Sequence, residues 1–114
     1  MIERIKGSAP TRSRAVVHNG LVYTVAVSSD KKPDVYLQTK TALEAITRTL
    51  AEAGSSKAQI LTATIYLTDM SKKDDMNRAW DEWVDRNNAP QRACIGATLE
   101  GADLIEILIT AAQK

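Results

Sequence analysis

The spacing of apolar residues changes along the chain, and each change predicts a new structural element. Two valine-rich runs, Arg14–His18 and Leu21–Val27, flank Asn19-Gly20, a pair typical of a tight turn between antiparallel strands. The following segment carries apolar residues at helical spacing, which predicts a helix from about Asp34 to Ala53. The first half of the chain is therefore expected to form a hairpin followed by one long helix.

The second half contains a strand, a helix and two more strands. Ile60–Leu67 alternates with a period of two, which predicts a half-buried strand. The residues expected to share its buried face are Leu61, Ala63, Ile65 and Leu67. Two further strand-like runs, near Arg92–Thr98 and Leu104–Ala112, are separated by a short loop with Gly101 and are expected to pair as a hairpin.

A second helix is predicted between these strands. Ser71 followed by Asp74 fits a capping box, the usual start of a helix, and the pattern continues to about Arg86 before Pro90 ends it. Its apolar stripe contains Met76, Trp80 and Trp83, so both tryptophans are interpreted as core residues. The order β-β-α-β-α-β-β predicts one α+β domain over residues 1–114, with a single mixed sheet and both helices on one of its faces.

Composition narrows the classes of function. Fifteen Lys and Arg against fourteen Asp and Glu give a net charge of +1, which argues against a nucleic-acid or membrane-surface partner. Cys94 is the only cysteine, so no intrachain disulfide can form. The first residues lack the apolar core of a signal peptide, and no apolar run approaches the roughly 20 residues that span a bilayer. We expect a soluble, cytoplasmic protein.

Opposite charges occur in the last two strand-like segments. Arg92 and Cys94 are two residues apart and so share one strand face, while Glu106 lies in the apolar run Leu104–Ile109. If the two strands pair in even register, Glu106 faces the same side as Arg92, whereas an odd register places it on the other side. A charge in a partly buried strand requires a partner. The sequence leaves two interpretations open, a structural ion pair or a shared ligand.

The residue types favour recognition of a carboxylate over nucleophilic catalysis. The guanidinium of Arg92 on a rigid strand suits bidentate hydrogen bonding to a planar carboxylate, and a carboxylate such as Glu106 can orient and deprotonate a water molecule. Cys94 has no histidine nearby in sequence, since the only one is His18, and an isolated cysteine more often serves as a small buried apolar residue. His18 is expected to be exposed beside its turn.

The end of the chain, with Asn88–Cys94 followed by Ile105–Ile107, resembles the signature of the Rid or YjgF family, the reactive intermediate deaminases. Further segments resemble this family in the same order along the chain: Ala15–Val17, Asn19–Tyr23, Ala51–Gly54, Thr62–Asp69 and Met76-Asn77. The resemblance therefore covers nearly the whole sequence.

The resemblance implies a chorismate-mutase-like fold and a homotrimer with a central barrel and ligand clefts between subunits. It implies hydrolysis of reactive enamines and imines, formed from amino acids by pyridoxal-phosphate enzymes, to 2-oxo acids and ammonia, with no metal or organic cofactor. By position, Arg92 matches the carboxylate-binding arginine and Glu106 the glutamate associated with the attacking water. Cys94 and Asn77 match residues that line the cleft.

Two segments depart from the pattern of the deaminases. Thr11-Arg12 stands where many members carry Pro-Tyr, and Val25–Val27 stands where they carry Ser-Gly-Gln. Arg12 adds a cation to the ligand site, so we hypothesise a substrate with an additional acidic group. The alternative to a deaminase is a non-catalytic module that binds a 2-oxo acid in the same cleft. RNA cleavage, a third possibility within the family, is disfavoured by the balanced charge and the single histidine.

Overall fold

The structure, a computed structural model that describes residues 1–114, contains one six-stranded sheet and two α-helices. The strands are β1 (Glu3–Lys6), β2 (Ser13–His18), β3 (Leu21–Val27), β4 (Ile60–Leu67), β5 (Gln91–Gly96) and β6 (Ile105–Ala112), and the helices are α1 (Val35–Glu52) and α2 (Lys73–Trp83). The α+β class and the single mixed sheet are confirmed. Strand β1 was not predicted, because in its four residues only Ile5 is apolar and no periodicity can be recognised.

The sheet has the order β1-β2-β3-β6-β4-β5. The hairpin of β2 and β3 is confirmed, with His18 opposite Leu21 and with positive φ angles of 51° at Asn19 and 74° at Gly20. Positive φ at both turn residues is the requirement of a type I′ turn, which Asn-Gly meets at little cost. His18 is exposed beside this turn, as predicted.

The predicted hairpin of the last two strands is wrong. β5 pairs in parallel with β4, and β6 lies between β3 and β4, antiparallel to both. Parallel neighbours need a long crossover, and α2 supplies it between β4 and β5. Apolar composition explains the order, since β6 is rich in Ile and Leu and takes an interior position, whereas β5, with Gln91 and Arg92, forms the sheet edge.

One face of the sheet packs against both helices, and the other is left open. The residues of the helix-covered face that are almost fully buried include Val22, Ala63, Ile65, Leu67, Ile105, Ile107, Ile109 and Ala111, which form one core with Leu43, Ile46, Leu50 and Met76 of the helices. The prediction for Leu61 is wrong: an irregularity between Ile60 and Thr62 turns Leu61 outward and buries Ile60 instead.

The first helix has nearly the predicted bounds. Asp34 is its N-cap, and its Oδ1 accepts a hydrogen bond of 2.9 Å from the backbone N–H of Leu37. Gly54 follows the helix with φ of 78°, a left-handed conformation that favours glycine. Neither α-helix is long and apolar enough to cross a membrane.

The second helix is shorter than predicted at both ends. Asp69, not Ser71, is the capping residue, and it caps a 3₁₀ turn of Met70–Lys72 that leads into α2. The hydrogen bonds that Asp69 accepts from the hydroxyl and the N–H of Ser71 hold the pKa of this carboxyl below its ordinary value. The helix ends at Trp83, where the ammonium of Lys57 binds the carbonyl at 2.7 Å and Val84 turns to extended backbone.

Candidate functional site

Arg92 lies on β5 and points to the helix-covered side of the sheet. Its direct neighbour on β4 is Ala63, a core residue, and paired residues of adjacent strands share a face. The Arg92 guanidinium lies 5.5 Å from the centre of the Trp80 ring, and its Nη1 is 3.8 Å from the sulfur of Met76. Both contacts come from α2, so the crossover helix holds the arginine in place through a cation–π contact and packing.

No carboxylate of the chain pairs with Arg92. The three ion pairs of the protein are Arg14 with Glu52, Lys31 with Asp103, and Arg78 with Asp75. The sequence left two interpretations open. The first, a structural ion pair between Arg92 and Glu106, is therefore wrong within a single chain. A half-buried guanidinium with only a ring and a thioether beside it favours an anionic ligand.

Cys94 and Asn77 lie on the same side of the molecule as Arg92. Cys94 is half-buried on the helix-covered face, two residues along β5 and directly opposite Ile65 of β4. Asn77 follows Met76 on α2, and its Oδ1 is buried without a hydrogen-bond partner. Buried acceptors are usually satisfied, so Asn77 has an unused capacity to accept a hydrogen bond. We call Met76, Asn77, Trp80, Arg92 and Cys94 the helix-face group.

Glu106 points the opposite way. It lies in a row across the sheet with Val27 on one side and Tyr66 on the other, and Tyr66 in turn pairs with Ile95. Its neighbour Ile107 belongs to the core, so Glu106 occupies the open face. Glu106 therefore does not share a face with Arg92 and Cys94 within one chain. An even register of a hairpin between the last two strands would have placed all three on one face.

Arg12 lies in the loop between β1 and β2. Together with Val25 it lines a cavity of about 180 Å³, and Val25 is an exposed residue of the open face, directly opposite Leu108 of β6. Glu106 is two residues from Leu108 and therefore on the same face. We call Arg12, Val25 and Glu106 the open-face group.

The two groups cannot meet on one small ligand within a single chain. Arg12 precedes β2 and Arg92 lies on β5, and these strands are four positions apart in the sheet order. At the usual strand spacing this separation is about 19 Å, and the sheet itself stands between Arg92 and Glu106. A site that uses both groups therefore needs two copies of the chain.

Sequence reasoning missed two contributors to the helix-face group. Met76 and Trp80 were interpreted only as core residues, and both are buried, but each also contacts Arg92. The sequence signal for these contacts was weak, because the helical spacing of Met76 and Trp80 is already explained by their burial in the core. Trp80 is buried as predicted, whereas Trp83 is only half-buried against the core. The ring centres are 5.4 Å apart, and the Nε1 of Trp83 donates to Thr47 at 2.8 Å.

Comparison of the whole fold gives a close structural match. The crystal structure of NMB1025 from Neisseria meningitidis, a member of the YjgF protein family, superposes with a TM-score of 0.94 at 40% sequence identity, covering 100% of this chain and 96% of that one. The architecture is thus that of YjgF proteins, with a mixed sheet and two helices.

Comparison of sequences gives the family. The Endoribonuclease L-PSP family matches residues 2–113. A RutC family protein of Haemophilus ducreyi is 45% identical over 102 residues, 88% of this chain and 87% of the relative, and the RutC family protein YoaB of Escherichia coli K12 is 39% identical over 101 residues, 88% and 89% of the two chains. The chain belongs to this family, the YjgF or Rid family that its motifs indicated.

Proposed function

We propose that the protein hydrolyses reactive 2-imino acids to 2-oxo acids and ammonia, in sites formed between neighbouring copies of the chain. The observation that carries this proposal is the half-buried Arg92, which has no carboxylate partner and is held by Trp80 and Met76. A 2-imino acid presents a carboxylate next to the reacting carbon, so anchoring the carboxylate also fixes the position of the C=N bond.

Asn77 supports the same assignment. Its buried Oδ1 lacks a donor, and a protonated imine offers an N–H close to the carboxylate that Arg92 binds. In the proposed site the side chain of Asn77 turns toward the substrate and accepts a hydrogen bond from this N–H, which orients the imine carbon toward the attacking water. Half-buried Cys94 supplies a compact, uncharged wall beside the substrate.

Glu106 is the group proposed to position and deprotonate the water. The water oxygen forms a bond to the imine carbon and its proton passes to the Glu106 carboxylate, which gives a tetrahedral carbinolamine. The protonated Glu106 then returns this proton to nitrogen, and the C–N bond breaks to release ammonia. The hydroxyl group passes its own proton to the Glu106 carboxylate, and the carbon retains the oxygen as a ketone. Because the imine is already electrophilic, positioning and one proton acceptor are sufficient chemistry.

A homotrimer is the assembly proposed to bring the two groups together. The open face exposes Tyr23, Val25, Ile95 and Leu108, each 37% to 46% accessible, and Val25 lies directly opposite Leu108. Contiguous apolar surface of this kind marks an interface, and the family resemblance favours a closed ring of three copies. In such a ring the helix-face group of one copy is expected to face the open-face group of the next.

The proposal predicts faster ammonia release from imines formed in situ by an amino acid oxidase. We expect the wild-type protein to accelerate this release in proportion to its concentration, measured in a buffer without competing amines, with heat-denatured protein as the control. Tight binding of 2-oxo acids without any acceleration would contradict the deaminase and support a non-catalytic binding module instead.

A further inference from the structure

The loop between β1 and β2 borders a basic surface pocket, open to solvent, that the proposed chemistry does not explain. It has a volume of about 580 Å³, and three cations line it, namely Arg4, Lys6 and Arg12. Ser8, Thr11 and Ser13 contribute hydroxyl groups, and no carboxylate lines the cavity. We call Arg4, Lys6 and Arg12, with these hydroxyl groups, the basic loop pocket.

The cations of the basic loop pocket make no direct ion pair with the rest of the chain. None of its three cations takes part in an ion pair. The neighbouring cation, Arg14, does, and its Nη2 binds Glu52 at 2.7 Å. In a protein with a net charge of only +1, three unpaired cations around one cavity concentrate positive potential at one place.

Arg14 holds the start of this loop. Its Nε donates to the carbonyl of Lys6 at 3.1 Å and its Nη1 donates to the hydroxyl of Thr49 at 3.2 Å, so the arginine links the loop to α1. Gly7 is required for the close approach, because a Cβ at this position would lie 2.9 Å from the Cγ of Arg14. A pocket anchored in this way loses less entropy when a ligand binds.

Arg12 connects the basic loop pocket to the sheet face that carries Glu106. Arg12 also lines the smaller cavity that contains Val25, and Val25 is the diagonal neighbour of Glu106 through its partner Leu108. Diagonal neighbours on one sheet face are about 7–8 Å apart. Arg12, whose side chain reaches Val25, is therefore the cation of the basic loop pocket that comes nearest to a ligand held beside Glu106.

We propose that the basic loop pocket binds a second carboxylate of the substrate, and that the protein acts on 2-imino diacids, the imines of acidic amino acids. This inference rests on the proposed deaminase function. Arg92 binds the carboxylate next to the reacting carbon, and Arg12 binds the distal carboxylate by charge-assisted hydrogen bonds, while Lys6 and Arg4 add positive potential around it.

The test compares imines formed in situ from glutamate and from alanine by oxidases of matching specificity. We expect kcat/KM of the wild-type protein to be roughly 10 to 100 times higher for the diacid, since a charge-assisted hydrogen bond contributes about 1.5–3 kcal/mol. Arg12→Gln combined with Lys6→Gln is expected to lower this ratio about tenfold or more. Arg48→Gln, which removes an exposed charge from α1, is the matched control and should leave the ratio unchanged.

Titration calorimetry with 2-oxoglutarate and pyruvate provides a second readout that does not need turnover. We expect the diacid to bind more tightly and the Arg12→Gln, Lys6→Gln variant to lose that preference. Acceleration of both imines with equal kcat/KM, together with equal binding of both oxo acids, would overturn the diacid inference and leave the deaminase intact. Absence of acceleration for both imines would overturn the deaminase, so the two failures are distinguishable.

Discussion

Replacing Arg92 with alanine is expected to lower kcat/KM for 2-imino acids by about 100-fold or more. The guanidinium forms two charge-assisted hydrogen bonds to the substrate carboxylate in the proposed site, and their loss removes about 3 kcal/mol of binding to the transition state. Arg92→Lys should recover only part of this activity, because lysine keeps the charge but lacks the planar fork and its contact over Trp80. Ammonia-release kinetics measure both variants.

The comparison requires that Arg92→Ala remains folded. Arg92 is half-buried at a sheet edge and has no ion pair, so we expect its removal to change the free energy of unfolding by about 1 kcal/mol or less. Arg86→Ala is the matched control, since Arg86 is exposed and its Nη2 donates only to the carbonyl of Asp81. Full activity of Arg92→Ala would rule out the carboxylate anchor.

Replacing Gln38 with leucine is expected to destabilise the protein by about 2 to 4 kcal/mol. Gln38 is fully buried on α1, and its Nε2 donates to the carbonyls of Lys32 and Ala102 at 2.9 and 3.1 Å. Its Oε1 accepts from the N–H of Leu104 at 2.9 Å. Leucine has similar size but leaves the carbonyl of Ala102 and the N–H of Leu104 without this partner, while the carbonyl of Lys32 keeps its hydrogen bond from the N–H of Asp34 at 2.8 Å. Urea denaturation measures the change.

The position of Gln38 links the folding stability of the protein to the strand that carries Glu106. Leu104 immediately precedes β6, the strand that carries Glu106, so loss of the Gln38 hydrogen bond is expected to loosen the start of that strand. Gln91→Leu, at an exposed position of β5, makes the same chemical change without this loss and should unfold at nearly the wild-type urea concentration. A Gln38→Leu variant as stable as the control would contradict the role assigned to the buried amide.

Local signals in the sequence predict most of the elements. Asn19-Gly20 specifies its hairpin because both residues accept positive φ, and the long apolar stripe and Asp34 cap specify α1. The neighbours of β5 and β6 were not predictable in the same way. The short loop with a glycine between β5 and β6 is typical of a hairpin. In the folded sheet β4 lies between these two strands, because the most apolar strands take the interior positions.

The candidate site shows the same division between local and long-range information. Arg92 stands out in a strand-like run, and its face relative to Cys94 follows from their spacing. The face on which Glu106 lies relative to Arg92 depends on how β4 pairs with β5 and with β6. Residue spacing in the sequence does not specify these two pairings. Arg4 and Lys6 belong to a strand too short to recognise, so the basic loop pocket emerges only from the folded loop.

The most direct test of a site shared between copies is rescue by mixing two inactive variants. Arg92→Ala and Glu106→Gln are co-expressed with different tags, and the mixed assemblies are assayed for ammonia release. In a closed ring of three copies with random mixing, about a quarter of the sites receive an intact Arg92 and an intact Glu106 from neighbouring chains. We predict activity near that fraction of wild type, and none when Arg92→Ala is mixed with the double variant. Mixed assemblies as inactive as either variant alone would contradict a site formed between copies.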